Sequence, residues 1–146
     1  MSAAQIQVVA ADSHALLEAA YAIRRRVFIE EQHVPEEIEL DDDDARAFHA
    51  LALRDGKPAG CGRYVEHSPG EIKIGRMASL RELRGTGIGR AVLEFLIATA
   101  RNRGYRRAIL HAQLTAEGFY LKQGFRPEGE VFEEAGIPHR AMIRDL

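Results

Sequence analysis

The chain has 146 residues and a mass of 16.3 kDa, which is the size of one ordinary domain. Apolar residues make up 46% and charged residues 29%, a globular composition that argues against a disordered chain. The net charge is only -2 and no apolar run approaches the roughly 20 residues of a membrane span, so we expect neither a nucleic-acid-binding protein nor a membrane protein.

The lone cysteine and the lack of a linker bear on compartment and organisation. Cys61 has no second cysteine with which to form an internal disulfide, which suits a reducing compartment such as the cytoplasm. Its place within a predicted strand favours a small buried side chain over a nucleophile. The N-terminus has no cationic flank and no signal-peptide core. We expect residues 1–146 to form a single cytoplasmic domain.

The first half of the chain predicts a strand, a helix and then three consecutive strands. Asp12 or Ser13 can cap the helix, whose apolar residues recur at helical spacing. Pro35 interrupts the chain after it, and the acidic stretch that follows predicts a loop with one helical turn near 36–40. The predicted ranges are 5–10 for the first strand, 14–30 for the helix, and 48–54, 59–66 and 71–80 for the three strands.

The second half predicts helices alternating with strands. An amphipathic helix begins at residue 88 and ends before Gly104. Thr115 is predicted to cap a short helix that reaches about residue 123. The remaining predicted strands span 105–113, 125–133 and 137–144. The element order indicates a mixed α/β sheet of six to seven strands with helices on both faces.

A glycine loop precedes the helix that begins at residue 88. It reads Arg84-Gly85-Thr86-Gly87-Ile88-Gly89, with three glycines in five residues. Free N–H groups at a helix start bind phosphate, and glycine lets a ligand approach the backbone. No Gly-Lys-Ser/Thr follows, and the third glycine falls one place too early for the dinucleotide-binding fingerprint. The loop therefore indicates an anion site of another kind.

Two motifs resemble the GNAT superfamily of acetyl-CoA-dependent N-acyltransferases. Arg84-x-x-Gly87-x-Gly89 matches its pyrophosphate-binding motif, and residues 116–125, which read AEGFYLKQGF, match its A-x-x-F-Y-x-x-x-G-F signature. A finer resemblance to the ElaA-like branch lies in residues 26–32, 111–113 and 131–139. The resemblance implies a centrally splayed sheet, acetyl-CoA as the acyl donor and a primary amine as the acceptor.

The resemblance also implies which residues hold the donor. The loop from Arg84 to Arg90 would bind the pyrophosphate, and the backbone at residues 77–79 would pair with the pantetheine arm. Gln113 stands where many members have an asparagine. The implied donor-binding residues are Met77, Ala78, Ser79, Arg84, Gly85, Thr86, Gly87, Ile88, Gly89, Arg90 and Gln113.

Four residues are candidates for the chemistry. The family pattern supplies Tyr120 as the proton donor to the leaving thiolate, because a phenol within hydrogen-bond reach can protonate it. The general base stays open between Glu31, His111 and His139, with a water relay as a further alternative. The other histidines, at positions 14, 33, 49 and 67, are predicted to lie at the surface or in turns, and no spacing is typical of a metal site.

The charges are unevenly spread, and residues 30–44 contain nine carboxylates with no Lys or Arg. This segment is either a solvated face or, next to the acceptor pocket, an attractor for an amine with a second positive charge. Two other functions stay open: an acyl-CoA-binding regulatory module without catalysis, and a nucleotide-binding enzyme such as a kinase. The acceptor amine and the oligomeric state are also open, with a homodimer as one alternative.

Overall fold

The computed structural model describes residues 4–146, and its strands form one mixed seven-stranded sheet. The strands are β1 (Ile6–Ala10), β2 (Phe48–Arg54), β3 (Lys57–Ser68), β4 (Glu71–Ser79), β5 (Arg107–Gln113), β6 (Arg126–Glu134) and β7 (Ile137–Asp145). Their order is β1-β2-β3-β4-β5-β7-β6, and only β4 and β5 run parallel. The predicted mixed sheet is confirmed, with each strand end within two residues of its predicted place.

Helical segments cover both faces of this sheet. The α-helices are α1 (His14–Arg24), α2 (Glu36–Glu39), α3 (Ile88–Asn102) and α4 (Glu117–Lys122). A π-helix (Arg25–Glu31) continues α1, and 3-10 turns are formed by Asp42–Ala45, Arg81–Leu83 and Leu114–Ala116. Alternate residues of the strands pack against α3 on one face and α1 on the other, as Ala50 and Leu51 do.

The first long helix has its predicted extent, but its second part is wound differently. Ser13 caps it, with its side chain accepting a hydrogen bond from the backbone of Leu16 at 3.2 Å. From Arg25 onward the helix is a π-helix, and the N–H of Gln32 donates to the carbonyl of Val27 at 3.1 Å. The π-helix ends at Glu31, and the side chain of its C-cap residue, Gln32, lies against Gln113 of β5.

The predicted cap of the short C-terminal helix is wrong. Thr115 lies within the 3-10 turn Leu114–Ala116, and α4 begins only at Glu117. Ala116 occupies the N-cap position, and no side chain caps the helix there. The chain enters α4 through the tighter turn, so the position of the hydroxyl does not match the helix start.

The sheet splits at its centre, as the resemblance implies. Strands β4 and β5 pair only along residues 71–74 and 107–110, although both continue beyond that point. A bulge in β4 accompanies the split: Arg63 opposes Gly75 but Cys61 opposes Ala78, so β4 carries an extra residue. Arg76 in this bulge has φ +52°. The bulge bends β4, and a wedge opens between the two parallel strands.

The acidic segment folds onto arginines instead of projecting into solvent. Arg24 is fully buried and binds Glu39 and Asp44, in each case at 2.7 Å. Arg63 binds Asp41 at 2.7 Å and also contacts Asp44. Arg76 adds a contact of 3.2 Å to Asp41. We call this group the arginine–carboxylate cluster; it consists of Arg24, Arg63, Arg76, Glu39, Asp41 and Asp44.

These ion pairs change both expectations for the acidic segment. Six of its nine carboxylates pair with an arginine, namely Glu31, Glu36, Glu39, Asp41, Asp43 and Asp44. The segment therefore lacks the large unbalanced negative charge that would attract an amine with a second positive charge. His49, predicted to lie at the surface, is instead buried beside this segment, with Nε2 2.9 Å from the carbonyl oxygen of Asp44. The segment is anchored because three arginines from separate elements converge on it.

Asp44→Asn is expected to destabilise the protein by about 3 kcal/mol, because it leaves Arg24 and Arg63 buried beside a neutral amide. Burial alone would raise the pKa of Asp44. Hydrogen bonds and positive charge from Arg24 and Arg63 outweigh burial and lower the pKa to about 2. The stabilisation is thus present above pH ~4 and is lost as the pH falls toward the folded-state pKa. Denaturant unfolding between pH 2 and pH 7 measures this. Asp42→Asn, at an exposed neighbour, should change the stability by less than ~0.5 kcal/mol, and equal effects of the two changes would contradict the anchoring role.

Candidate active site

A cleft of about 600 Å³ lies where β4 and β5 separate. The π-helix and the segment after it supply an apolar wall, formed by Val27, Phe28, Val34 and Ile38. The opposite side is polar and comes from β4, β5 and the β6–β7 hairpin; its residues include Lys73, His111, Glu134 and His139. A cleft with an apolar wall and a few convergent polar groups is typical of a small-molecule site.

The edge of β4 that faces the wedge is available to an extended ligand. After residue 74, β4 has no pairing with β5 within residues 4–146, so alternate backbone groups there lack a strand partner. Met77, Ala78 and Ser79, predicted from the resemblance to pair with the donor, all line the cleft along this edge. The carbonyl of Ser79 already accepts a hydrogen bond from Nε of Arg84 at 3.2 Å.

The glycine loop ends in an uncapped helix N-terminus. Gly85 and Gly87 have φ of +80° and +92°, a region that favours glycine. Gly87 is the N-cap residue of α3, and no side chain caps the first turn of this 15-residue helix. The first amides of α3, at residues 88–90, are therefore available to an anion such as a pyrophosphate, with the helix dipole behind them.

The other loop residues frame this N-terminus. The hydroxyl of Thr86 donates to the carbonyl of Leu83 and holds the loop. Ile88 is 1% exposed, so its backbone alone can meet a ligand. A Cβ on Gly89 would lie 3.6 Å from the ring of Phe119 and 3.8 Å from the hydroxyl of Ser79. Arg90 lies on the solvent side, where it pairs with Glu94 at 2.9 Å.

The structure pairs a predicted base with a predicted donor-binding residue. Arg84 Nη1 and Nη2 donate to the two carboxylate oxygens of Glu31 at 2.6 and 2.9 Å. Hydrogen bonding by Arg84 lowers the pKa of Glu31. A carboxylate held in this way is a weaker proton acceptor, so the geometry favours a role for Glu31 in positioning Arg84. This pair joins the π-helix to the start of the glycine loop.

Gln113 bridges the wedge to the π-helix side. Its Nε2 donates to Oε1 of Gln32 at 2.9 Å, and Nε2 of Gln32 lies 3.4 Å from Oε1 of Gln113. Both residues line the cleft. The Gln113 amide, predicted to contact the donor, therefore already has a partner across the opening. This partner, Gln32, is not among the predicted site residues.

The two candidate histidines share one carboxylate. His111 Nδ1 lies 3.0 Å from Oε1 of Glu134, and His139 Nε2 lies 3.7 Å from Oε2 of the same residue. The Nδ1 of His139 also contacts the carbonyl of Ile137 at 2.6 Å. Hydrogen bonding by His111 lowers the pKa of Glu134, so Glu134 is ionised. We call His111, Glu134 and His139 the histidine–glutamate cluster.

This cluster distinguishes the roles of its two imidazoles. When Nδ1 of His111 donates to Glu134, its Nε2 carries the lone pair and can accept a proton. The side chain of His111 is 26% exposed and forms part of the cleft wall, whereas that of His139 is 8% exposed. Phe132 packs edge-on against His111, with 4.9 Å between the ring centroids. Of the three predicted bases, His111 has the geometry best suited to accept a proton.

Tyr120 lies in an aromatic group beside the cleft. Its ring makes edge contacts with Phe119 and Phe125, at centroid distances of 5.0 and 5.8 Å. It is 8% exposed, and burial raises the pKa of its hydroxyl above the usual value of a phenol. The phenol thus keeps its proton at neutral pH. Ala116, one turn earlier, lines the cleft, although Tyr120 itself does not.

Two polar residues of the cleft were missed from the sequence. Glu134 follows the strand predicted over 125–133 and Lys73 lies in the strand predicted over 71–80, and neither is a predicted site residue. Glu134 meets His111 because β7 lies between β5 and β6, an order that sequence spacing does not reveal. The alternation of Lys73 with the buried residues Ile72 and Ile74 was a usable signal, since it places Lys73 on the opposite face of β4.

The described chain also bears on a metal site, a membrane span and the role of Cys61. No group of three or more His, Cys, Asp or Glu residues suited to a metal ion occurs within residues 4–146. No helix in that range is long and apolar enough to cross a membrane. Cys61 is 2% exposed as predicted, and burial raises the pKa of its thiol to about 12, which disfavours the nucleophilic thiolate.

Comparisons with known proteins extend over most of the chain. Residues 7–146 match the family model described as "Acetyltransferase (GNAT) domain". The chain is 35% identical over 141 residues to the uncharacterized N-acetyltransferase YjcF of Bacillus subtilis (strain 168), covering 96% of this chain and 100% of YjcF. The crystal structure of Escherichia coli ElaA has a TM-score of 0.82 and 27% identity, covering 97% and 99% of the two chains. An acyl-CoA N-acyltransferase from Pseudomonas aeruginosa has a TM-score of 0.81 and 28% identity, with the same coverage.

Proposed function

The chain belongs to the GNAT family of acetyltransferases, and we propose that it transfers an acetyl group from acetyl-CoA to a primary amine within one ternary complex. The family resemblance in its sequence, including that to ElaA, is confirmed, and the chain is an acyltransferase. The observation that carries the proposal is the wedge between β4 and β5. It has an uncapped helix N-terminus near one end and the histidine–glutamate cluster on its wall.

The donor side would hold acetyl-CoA, which supplies a thioester-activated acetyl group. The amides at the start of α3, with Arg84 nearby, provide a cradle for the pyrophosphate. The unpaired edge of β4 at residues 77–79 offers N–H and C=O groups to the pantetheine arm. An N–H on this edge can also donate to the thioester carbonyl oxygen and stabilise the charge that develops there.

His111 is the proposed general base. The amine nitrogen forms a bond to the acetyl carbon only after its ammonium has lost a proton, and Nε2 of His111 accepts that proton. Glu134 fixes the imidazole by accepting from Nδ1 and stabilises the imidazolium that forms. His139 lies beside the same carboxylate, and its Nδ1 donates to the carbonyl of Ile137. Glu31 positions Arg84, and Gln32 positions Gln113.

Tyr120 is the proposed general acid. As the new N–C bond forms, the C–S bond breaks, and the thiolate takes a proton from the phenol. The phenol is protonated at the pH of the reaction, since burial raises its pKa. The nitrogen of the adduct loses its second proton, which returns through water to Tyr120, and the imidazolium of His111 releases its proton to water. The products are therefore the amide, the thiol and one proton, and no other co-reactant is needed.

Tyr120→Phe should lower kcat by about 10²-fold, the usual range for loss of a general acid. Affinity for acetyl-CoA should change by less than about threefold, because the ring and its aromatic contacts remain. Steady-state kinetics and titration calorimetry measure the two quantities. Tyr105→Phe, at a tyrosine that packs against Tyr64 after the end of α3, is the matched control. Wild-type turnover in Tyr120→Phe would assign Tyr120 to packing.

A panel of primary amines assayed with acetyl-CoA for thiol release tests the function. We expect turnover with at least one amine and initial-rate lines that intersect, as direct transfer in a ternary complex requires. Parallel lines would indicate an acetylated enzyme and would contradict direct transfer. Tight acetyl-CoA binding without thiol release on any amine would favour the regulatory module.

A further inference from the structure

The polar side of the cleft, where we place the acceptor and which we call the acceptor side, contains a lysine that forms no ion pair with a carboxylate of residues 4–146. Three arginines of the cleft, Arg63, Arg76 and Arg84, are held by Asp41 or Glu31. Lys73 also lines the cleft, but no carboxylate oxygen in the described part of the chain lies within 4 Å of its ammonium. A Lys ammonium carries three donors, so this group is free to bind an anion.

The sheet register sets Lys73 and His111 on one face of the wedge. Lys73 pairs with Ile109 on β5, and His111 follows two residues later along the same strand. The intervening Leu110 is buried on the α3 side, as are Ile72 and Ile74 next to Lys73. Two residues of strand correspond to about 7 Å. The positive charge of Lys73 also contributes to lowering the pKa of Glu134, consistent with this proximity.

The remaining charges of the acceptor side cancel. The arginine–carboxylate cluster has three arginines and three carboxylates, and Asp43 pairs with Arg46 at 2.7 Å. No excess of acid remains there to recognise a second positive charge on the acceptor. What remains is the ammonium of Lys73 and, further along the same face of the wedge, Glu134 with His111. These opposite charges match a small zwitterion.

We infer that Lys73 binds a carboxylate of the acceptor, which makes the acceptor an amino acid with a free carboxyl group. The ammonium of this acceptor lies toward the histidine–glutamate cluster, where His111 takes its proton. The apolar wall, which includes Phe28 and Val34, receives an aliphatic side chain of the acceptor. The inference rests on the proposed function, because it assigns the acceptor class for the same transfer.

Two matched pairs of acceptors test the role of Lys73. Leucine is compared with leucinamide, and 4-aminobutanoate with butylamine, by measuring thiol release from acetyl-CoA. In at least one pair, the carboxylate should have a kcat/KM at least 10-fold higher. In Lys73→Met, KM for that carboxylate should rise roughly 10- to 100-fold, the range for a lost hydrogen bond to a charged group. The uncharged partner should change by less than about twofold.

Three further variants separate charge from packing. Lys73→Gln should behave like Lys73→Met, and Lys73→Arg should retain part of the preference because it keeps the positive charge. Lys57→Met removes a lysine from the exposed start of β3 and should leave both acceptor pairs unchanged. Equal use of both members of both pairs by the wild-type protein would overturn the inference. A preference that survives in Lys73→Met and Lys73→Gln would do the same.

A binding measurement separates this inference from the proposed function. Calorimetry with CoA-loaded protein compares the same acceptor pairs without turnover. Tighter binding of the carboxylate in the wild-type protein, lost in Lys73→Met, would support the subsite even if no amine were acetylated. Equal binding of carboxylate and uncharged partner would overturn it. Failure of thiol release on every amine would contradict the proposed function alone.

Discussion

Gly87→Asp is expected to abolish measurable acetyl-CoA binding, with a loss in affinity of at least ~10²-fold. Gly87 is the N-cap of α3, where the first amides and the helix dipole favour an anion. A carboxylate at this position would occupy the amides and repel the pyrophosphate. Aspartate is among the side chains that tolerate a positive φ, so the variant should fold. Titration calorimetry and a thermal melt measure binding and folding.

Two matched variants isolate the cause of that loss. Gly87→Asn has nearly the same size and the same φ of +92° but no charge, and it should retain more affinity than Gly87→Asp. Gly56→Asp introduces the same side chain at a remote hairpin glycine with φ +81° and no atom within 4 Å of its Cβ position. This control should bind acetyl-CoA as the wild-type protein does. Unchanged affinity in a folded Gly87→Asp variant would contradict the cradle.

His111→Asn is expected to lower kcat by about 10²- to 10⁴-fold, the range for loss of a general base. The loss should shrink for an acceptor whose amine is already neutral at the assay pH, since that amine needs no base. It should also shrink as the pH rises and the free amine becomes more abundant. Acetyl-CoA affinity should stay within about threefold of wild type. Initial rates across pH with two amines of different basicity measure these effects.

The neighbouring variants decide between the candidate bases. Glu134→Gln should lower kcat by less than His111→Asn, because the amide still accepts from Nδ1 but cannot stabilise the imidazolium. Glu31→Gln should affect chiefly the donor KM, since its partner is Arg84. His67→Asn, at an exposed histidine of β3, should have no effect. A larger loss of kcat in Glu31→Gln or His139→Asn than in His111→Asn would move the base to that residue.

The strands were predictable because each leaves a local signal. Alternation in β2 and β5 and glycine turns such as Asp55-Gly56 fix where each strand begins and ends. The π-helix was not predictable, because over seven residues an apolar pattern fits a turn of either width. The failed cap at Thr115 shows the same limit, since the 3-10 turn there shifts the N-cap and the helix start by one residue.

The parts of the candidate site that are adjacent in the sequence were predictable. The glycine loop and the first turn of α3 are adjacent in sequence, so their arrangement follows from local rules. Glu134 meets His111 across 23 residues, through a strand order in which β7 separates β5 from β6. Arg24 and Arg63 meet Asp44 from separate elements. Such contacts depend on the tertiary arrangement, and that arrangement turned an acidic segment expected to carry excess charge into a largely paired one.

Equal amounts of N-acetylated amine and free CoA are expected when the protein is incubated with acetyl-CoA and a mixture of primary amines. Mass spectrometry identifies the acetylated amine, and thiol titration counts the CoA in the same sample. Both products should appear together in the wild-type protein and be nearly absent in Gly87→Asp and His111→Asn. Release of CoA without any N-acetylated amine, or no release from a protein that binds acetyl-CoA, would contradict acetyl transfer to an amine.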